Sequence, residues 1–168
     1  GGHFFECAVV DIDANGAGYQ WLDLDGEGSQ SVLAEQQDAW YYKRNVSPLS
    51  FTFVDGKPTS TAHFDPVSEV ATLPSFAETS AQRHEFLDLA GDGLLDCVVL
   101  ERPMAGFFER TLERGWDVFK PLQSLPNVDW SEPNLRFVDL TGDGHADILI
   151  TEDEALVWHP ALEEEGFG

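Results

Sequence analysis

The chain has little from which to build covalent cross-links or a basic surface. Of its 168 residues two are cysteine, and nine are lysine or arginine against 31 aspartate and glutamate, for a formal net charge of −22. Two cysteines are too few for a disulfide scaffold. Each sits in an apolar run, Phe5-Glu-Cys-Ala-Val-Val10 and Asp96-Cys-Val-Val-Leu100, which predicts Cys7 and Cys97 to be small buried hydrophobes. So acidic a surface repels phosphate backbones and anionic membranes, which excludes nucleic acid as a partner. No apolar run approaches the ~20 residues of a membrane-spanning helix, so no direct membrane insertion is expected. Gly1-Gly-His-Phe-Phe5 has no basic n-region followed by an apolar core, so no signal peptide is visible. Start and stop are abrupt, and both ends are expected to be cuts through a longer protein.

Catalytic signatures are missing too. There is no His-Glu-x-x-His, no Gly-x-Ser-x-Gly, no phosphate-binding glycine loop and no Cys-x-x-Cys. The five histidines, His3, His63, His84, His145 and His159, are scattered, as surface or packing residues would be. Carboxylates are abundant, but their regular spacing assigns them to loops before hydrolytic chemistry. No enzyme activity is expected. A sustained 3.6-residue apolar period is also absent, the stretch from Ser31 to Trp40 being the nearest approach to one.

What is present is a folded composition, with 42% apolar and 12% aromatic residues, and a long internal repeat. Trp21-Leu-Asp-Leu-Asp-Gly-Glu-Gly28, Phe86-Leu-Asp-Leu-Ala-Gly-Asp-Gly93 and Phe137-Val-Asp-Leu-Thr-Gly-Asp-Gly144 align without gaps. Each is followed by a strand-like run: Ser31-Val-Leu33, Asp96-Cys-Val-Val-Leu100 or Asp147-Ile-Leu-Ile150. An aromatic strand comes next (Ala39–Arg44, Gly106–Arg110, Ala155–Pro160), then a second strand and a proline-marked segment: His63-Phe-Asp-Pro66 with Leu73-Pro74, and Trp116–Pro121 with Leu125-Pro126. Four short strands per unit predict an all-β fold of four-stranded antiparallel sheets, the blades of a β-propeller. The organisation reads as 1–20, the end of a preceding blade carrying Phe4–Ile12; 21–85, repeat 1; 86–136, repeat 2; and 137–168, the start of repeat 3. Propellers close with about four to eight blades, so this is an incomplete ring cut from a larger one. Trp21, Phe86 and Phe137 are expected to pack between blades. Trp40, Tyr41, Tyr42, Phe107 and Phe108 suit either inter-blade core or an exposed binding face.

The loops carry the candidate chemistry. Counted from Asp139, side-chain oxygens fall at the first (Asp139), third (Thr141), fifth (Asp143) and ninth (Asp147) positions, with Gly144 at the sharp turn and the carbonyl of His145 at the seventh. That spacing suits a hard cation, Ca2+. It is not an EF-hand, because Ile150 stands where the bidentate glutamate belongs and the flanks read as strands. The Asp88 loop offers Asp88, Asp92, the Leu94 carbonyl and Asp96, but Ala90 is no ligand. The Asp23 loop offers Asp23, Asp25 and Glu27, with Ser31 at the ninth position. The Asp11–Gly16 stretch reads as a turn. The same acids also suit an Asx-type turn, in which they cap backbone N–H groups with no ion. On the cation reading, calcium raises the melting temperature and Asp143→Ala removes most of the rise.

The Asp-x-x-Gly-Asp-Gly-x-x-Asp loop followed by a strand resembles the FG-GAP/VCBS calcium-binding repeats of integrin-like propellers. Longer runs are similar to a narrower group: Tyr19–Gly28, Trp40-Tyr-Tyr-Lys43, Asn127-Val-Asp-Trp130, Pro133–Asp147, Ile150–Asp153, Trp158-His-Pro160 and Glu164–Gly168. These resemble the SpvB/TcB family, the B-component of bacterial ABC-type (Tc) insecticidal toxin complexes. The resemblance implies a propeller within a much larger secreted chain, docking on a pore-forming component and gating release. Its partners would be the other toxin subunits and the remaining blades. The alternative is an integrin-like adhesion or carbohydrate-binding propeller of a secreted protein.

Overall fold

A computed structural model of the chain describes residues 18–36, 39–47, 52–54, 56–59, 62–75, 84–101, 104–113, 115–152 and 154–168. The predicted remnant at Phe4–Ile12, Cys7 and the Asp11–Gly16 turn lie outside them. The fold is all-β, with no helix among the described residues. Contacts divide it into two units, one of Gly1–Leu22 and Ser29–Val70, the other of Asp23–Gly28 and Ala71–Gly168.

The first unit holds one four-stranded antiparallel sheet. Strands β1 (Gly18–Leu22), β2 (Ser31–Glu35) and β3 (Trp40–Lys43) run in sequence, and the two-residue β6 (Ser68–Glu69) closes the edge. A separate hairpin, β4 (Thr52–Val54) with β5 (Lys57–Thr59), intervenes between β3 and β6. In β3 the period-two alternation is clean: Trp40 and Tyr42 are buried, Tyr41 and Lys43 half-buried. The fourth strand was expected at His63–Pro66, but only Phe64 bridges there, to Asn45. Pro66 has no N–H to give a ladder, and regular pairing resumes past it at Ser68.

The second unit contains two sheets. One is a four-stranded meander of β7 (His84–Leu87), β8 (Asp96–Val99), β9 (Gly106–Thr111) and β10 (Gly115–Pro121). The other has three strands, β11 (Leu135–Val138), β12 (Asp147–Glu152) and β13 (Ala155–His159), all antiparallel. The first strand of each sheet starts at Gly18, His84 or Leu135, just ahead of the repeat edges read from sequence. The apolar run of β8 is buried at every residue, and Cys97 is a buried free thiol.

Between these two sheets lies the core. Leu87, Leu89, Val98, Leu100 and Phe107 come from the first; Leu135, Ile148 and Ile150 come from the second, joined by Phe167. Burying each such side chain contributes roughly 1.5–3 kcal/mol. Phe108, Trp40 and Tyr42 are also buried and Tyr41 is half-buried, so the aromatics of β3 and β9 supply mainly interior, whereas Trp158 of β13 is 48% exposed. The equivalent aromatics of the first strands each meet a ring of their own repeat: Trp21 with Phe64 at 6.3 Å, Phe86 with Trp116 at 5.7 Å, and Phe137 with Phe167 at 6.2 Å between centroids. Phe137 also packs on the core between the sheets, whereas Trp21 is 55% exposed.

The proline-marked segments stitch one repeat to the next. Thr72, in Thr72-Leu-Pro74, accepts the N–H of Trp116 at 3.1 Å, and Ser124, in Ser124-Leu-Pro126, accepts that of Phe167 at 3.1 Å. Both aromatics follow a glycine, Gly115 at φ 101° and Gly166 at φ 117°. At Gly166 a Cβ would also collide with the Ser124 carbonyl. Gly166→Ala is therefore expected to lose about 1–3 kcal/mol from backbone strain alone, read as a lower urea midpoint.

Candidate functional site

Each loop is built on its first acid, which accepts N–H groups across the turn. Asp23 takes those of Glu27 (2.9 Å) and Gly28 (2.6 Å). Asp88 takes Gly91 (2.7 Å), Asp92 (3.2 Å) and Gly93 (2.9 Å). Asp139 takes Gly142 (2.6 Å) and Gly144 (3.0 Å). The glycines make this possible: Gly142 and Gly144 hold φ 78° and 95°, a region that other residues rarely enter. The fifth-position acid closes a smaller turn, Asp92 accepting from Leu94 and Asp143 from His145, both at 2.9 Å. These bonds hold Asp139 and Asp143 below the usual carboxylate range. For Asp139 the Gly144 and Gly142 N–H groups are responsible; for Asp143, the His145 N–H and then the Thr141 hydroxyl.

The ninth-position acids behave differently. Asp96 and Asp147 are 0% exposed. Oδ2 of Asp96 accepts from Leu89 (3.0 Å) and Ala90 (3.2 Å), and Oδ1 accepts from the Arg110 N–H (2.8 Å). Asp147 repeats the pattern, with Oδ2 on Leu140 (3.0 Å) and Oδ1 on Ala161 (2.8 Å). Each therefore ties the start of its own loop to the sheet behind it. Burial pushes the Asp96 carboxyl up to about 6, against the opposing pull of its three N–H donors.

A raised native pKa means that the folded state holds the proton more tightly than the unfolded chain. The Asp96 contribution to stability therefore increases as pH falls from above 6 toward 4. Relative to Asp96→Asn, the parent should gain stability between pH 7 and 5. A difference that stays flat in paired urea titrations would refute the shift.

Of the ligands that spacing assigns to one ion, Asp139, Thr141 and Asp143 stand together at an exposed loop, with Thr141 Oγ1 3.4 Å from Asp139 Oδ1. The ninth-position acids face inward with both oxygens on N–H groups. Among the described residues no group of three or more His, Cys, Asp or Glu gathers to hold a metal. The ninth-position acids are thus engaged by backbone N–H groups, and the first and fifth acids close Asx-type turns.

Three features of the loops escape the spacing. Asp25 forms an ion pair with the Arg110 guanidinium at 2.9 Å, with side chains 13% and 8% exposed. Leu24 accepts the N–H of Leu95 at 3.2 Å, so the first loop is bonded to the second. The His145 ring lies over Gly91, where a Cβ would come within 2.7 Å of Nε2. Loop thus follows loop within the second unit. Pairing of a lone arginine with an acid many residues away leaves no local signal, although the identity of Gly91 hints at close approach.

A separate open cleft of about 660 Å³ lies on the third sheet. Asn127, Asp129, Glu132, Asn134, Thr151 and His159 line it together with Val128, Ile150 and Val157. His159 Nδ1 is 2.7 Å from the Gly168 carbonyl, which fixes the ring.

No protein-family model matches the chain, and no curated protein does. Among solved structures, that of an Agrocybe aegerita lectin, described as specifically recognising non-reducing terminal N-acetylglucosamine, is similar at a TM-score of 0.57 and 18% identity. The match covers 89% of this chain and 36% of the lectin chain. At that identity the likeness is one of fold. In the described residues no helix is long and apolar enough to cross a membrane.

Proposed function

We propose that this chain is a non-catalytic docking segment of a secreted bacterial toxin component of the SpvB/TcB type, forming part of a β-propeller that seats on a pore-forming partner. The observation that supports it is how the acids are used. The ninth-position acids of the second and third repeats are spent on backbone N–H groups that join loop to sheet, and the first loop is bonded to the second. Such residues build a scaffold and leave binding to its surfaces. The test is direct binding of the purified chain to the pore-forming component of a Tc-type complex, followed by interferometry. Saturable binding that survives moderate salt supports the reading; no binding by a folded sample rejects it.

A second reading, saccharide binding, is favoured by the cleft at Asn127–Asn134 and His159 together with the likeness to a lectin. Amides, carboxylates and an imidazole beside aliphatic side chains suit the hydroxyls and apolar face of a sugar. Titration with N-acetylglucosamine, observed by NMR at Thr151 and His159, discriminates. Shifts confined to the cleft favour this reading, and none at millimolar sugar removes it.

A further inference from the structure

The cleft at Asn127–Asn134 lies on the inner side of the third sheet. Two of its lining residues, Val157 and His159, pair with Ile150 and Ile148, and directly paired residues share a face of an antiparallel sheet. Ile148 and Ile150 belong to the core that joins the third sheet to the second. The other wall is the segment that leads from β10 into β11. Both walls belong to the second unit, so the cleft is formed where one repeat passes into the next.

Among the described residues no lysine or arginine lines it. Arg136, just beyond, donates through Nη1 to the carbonyls of Pro133 (2.6 Å) and Leu135 (2.7 Å). Acceptors, by contrast, are plentiful. Asp129 Oδ1 accepts from the N–H (2.9 Å) and hydroxyl (2.6 Å) of Ser131, which fixes the carboxylate at the cleft. Glu132 Oε1 accepts only a long bond, from the Asn134 N–H at 3.5 Å. With about four lone-pair sites, that carboxylate can take further donors. His159 adds another acceptor. Its Nδ1 faces the Gly168 carbonyl at 2.7 Å; a carbonyl only accepts, so Nδ1 carries the hydrogen and Nε2 of the neutral ring keeps its lone pair.

Two carboxylates and an imidazole lone pair, with no cation among the lining residues, favour a ligand that donates and is positively charged. Asn127, Asn134 and Thr151 both donate and accept, as a set of sugar hydroxyls requires. We propose, on the saccharide reading of this cleft, that it selects amino sugars bearing a free ammonium group, hexosamines of the glucosamine class, over their N-acetylated and neutral counterparts. The ammonium meets the Glu132 carboxylate beside the charge of Asp129, and a ring hydroxyl donates to Nε2 of His159. The net charge of −22 attracts the same cation from a distance. N-acetylation leaves one N–H and no charge, and so removes what Glu132 recognises.

NMR titration of the full chain near neutral pH with glucosamine, N-acetylglucosamine, glucose and putrescine tests it, followed at Thr151 and His159. Glucosamine should bind about tenfold more tightly than the two uncharged sugars, and its affinity alone among the sugars should fall as salt rises. Glu132→Gln keeps an oxygen for Asn134 and loses the charge; it should reduce that preference to about threefold or less. His159→Ala should weaken every sugar, and His159→Gln, with an amide oxygen in place of Nε2, should restore part of the loss. Glu113→Gln, exposed and outside the cleft, should change nothing. N-acetylglucosamine bound as tightly as glucosamine overturns the selectivity and leaves the saccharide reading standing. Putrescine that matches glucosamine assigns the cleft to amines and overturns the choice of a sugar. No shift at the cleft with any sugar removes both the selectivity and the saccharide reading.

Discussion

Asp96→Ala is expected to lower the unfolding free energy by about 3–5 kcal/mol, because it strands two buried N–H groups and a part-buried one at roughly 1–3 kcal/mol each, partly offset by removing a buried charge. Those donors belong to Leu89 and Ala90 in the loop and to Arg110 in β9. The loss should therefore loosen the loop and the third strand together. Amide hydrogen exchange separates this from general destabilisation: Leu89, Ala90 and Arg110 should lose protection first. Asp96→Asn should fall between parent and alanine, since its amide keeps one acceptor but turns an NH2 toward a donor. Equal urea midpoints for Asp96→Ala and the parent would show that the carboxyl is not the tie described.

Trp116→Ala should cost about 3–5 kcal/mol, the range for deleting a large buried ring. The residue is 0% exposed. Its indole N–H reaches the Leu95 carbonyl at 3.3 Å, its ring lies tilted against Phe86, and the Arg110 guanidinium lies 4.8 Å from the ring. Arg110 in turn pairs with Asp25, so the ring supports the cation that holds the first loop. Trp116→Phe keeps most of the packing and removes one hydrogen bond, for an expected loss of about 1 kcal/mol beyond the small change in volume. A double-mutant cycle with Asp25→Asn measures whether ring and loop are coupled; strictly additive losses would deny the connection.

The repeat was legible because its signals are local. A glycine-rich turn between two apolar runs predicts strand, loop, strand, and β7–β8 and β11–β12 lie on either side of the Asp88 and Asp139 loops as the alignment requires. The Thr72-Leu-Pro74 and Ser124-Leu-Pro126 segments were visible as punctuation, but their partners, Trp116 and Phe167, come from the following repeat. The ninth position was the harder part. Spacing tells which residues carry oxygens, but not which way a side chain points at the first residue of a strand. In β8 and β12 that residue enters the sheet, and Asp96 and Asp147 are carried inward with it. One oxygen of each still reaches the loop, at Leu89 and Ala90 or at Leu140, while the other bonds the segment behind. The Asp25–Arg110 pair and the cleft under Asn127–Asn134 depend on contacts between distant segments, for which a single sequence holds no periodicity.

The central claim is that the ninth-position acids are structural ties within the scaffold. Urea unfolding of Asp147→Ala beside Asp143→Ala, each in chelator and in millimolar calcium, tests it most directly. Stranding the N–H groups of Leu140 and Ala161 should lower the stability of Asp147→Ala by about 2–4 kcal/mol in both buffers. Asp143→Ala, at an exposed loop position, should lose only a small part of that, and calcium should not shift the parent. A parent stabilised specifically by calcium, with both variants losing that increment and little else, would contradict the account and return the acids to a cation.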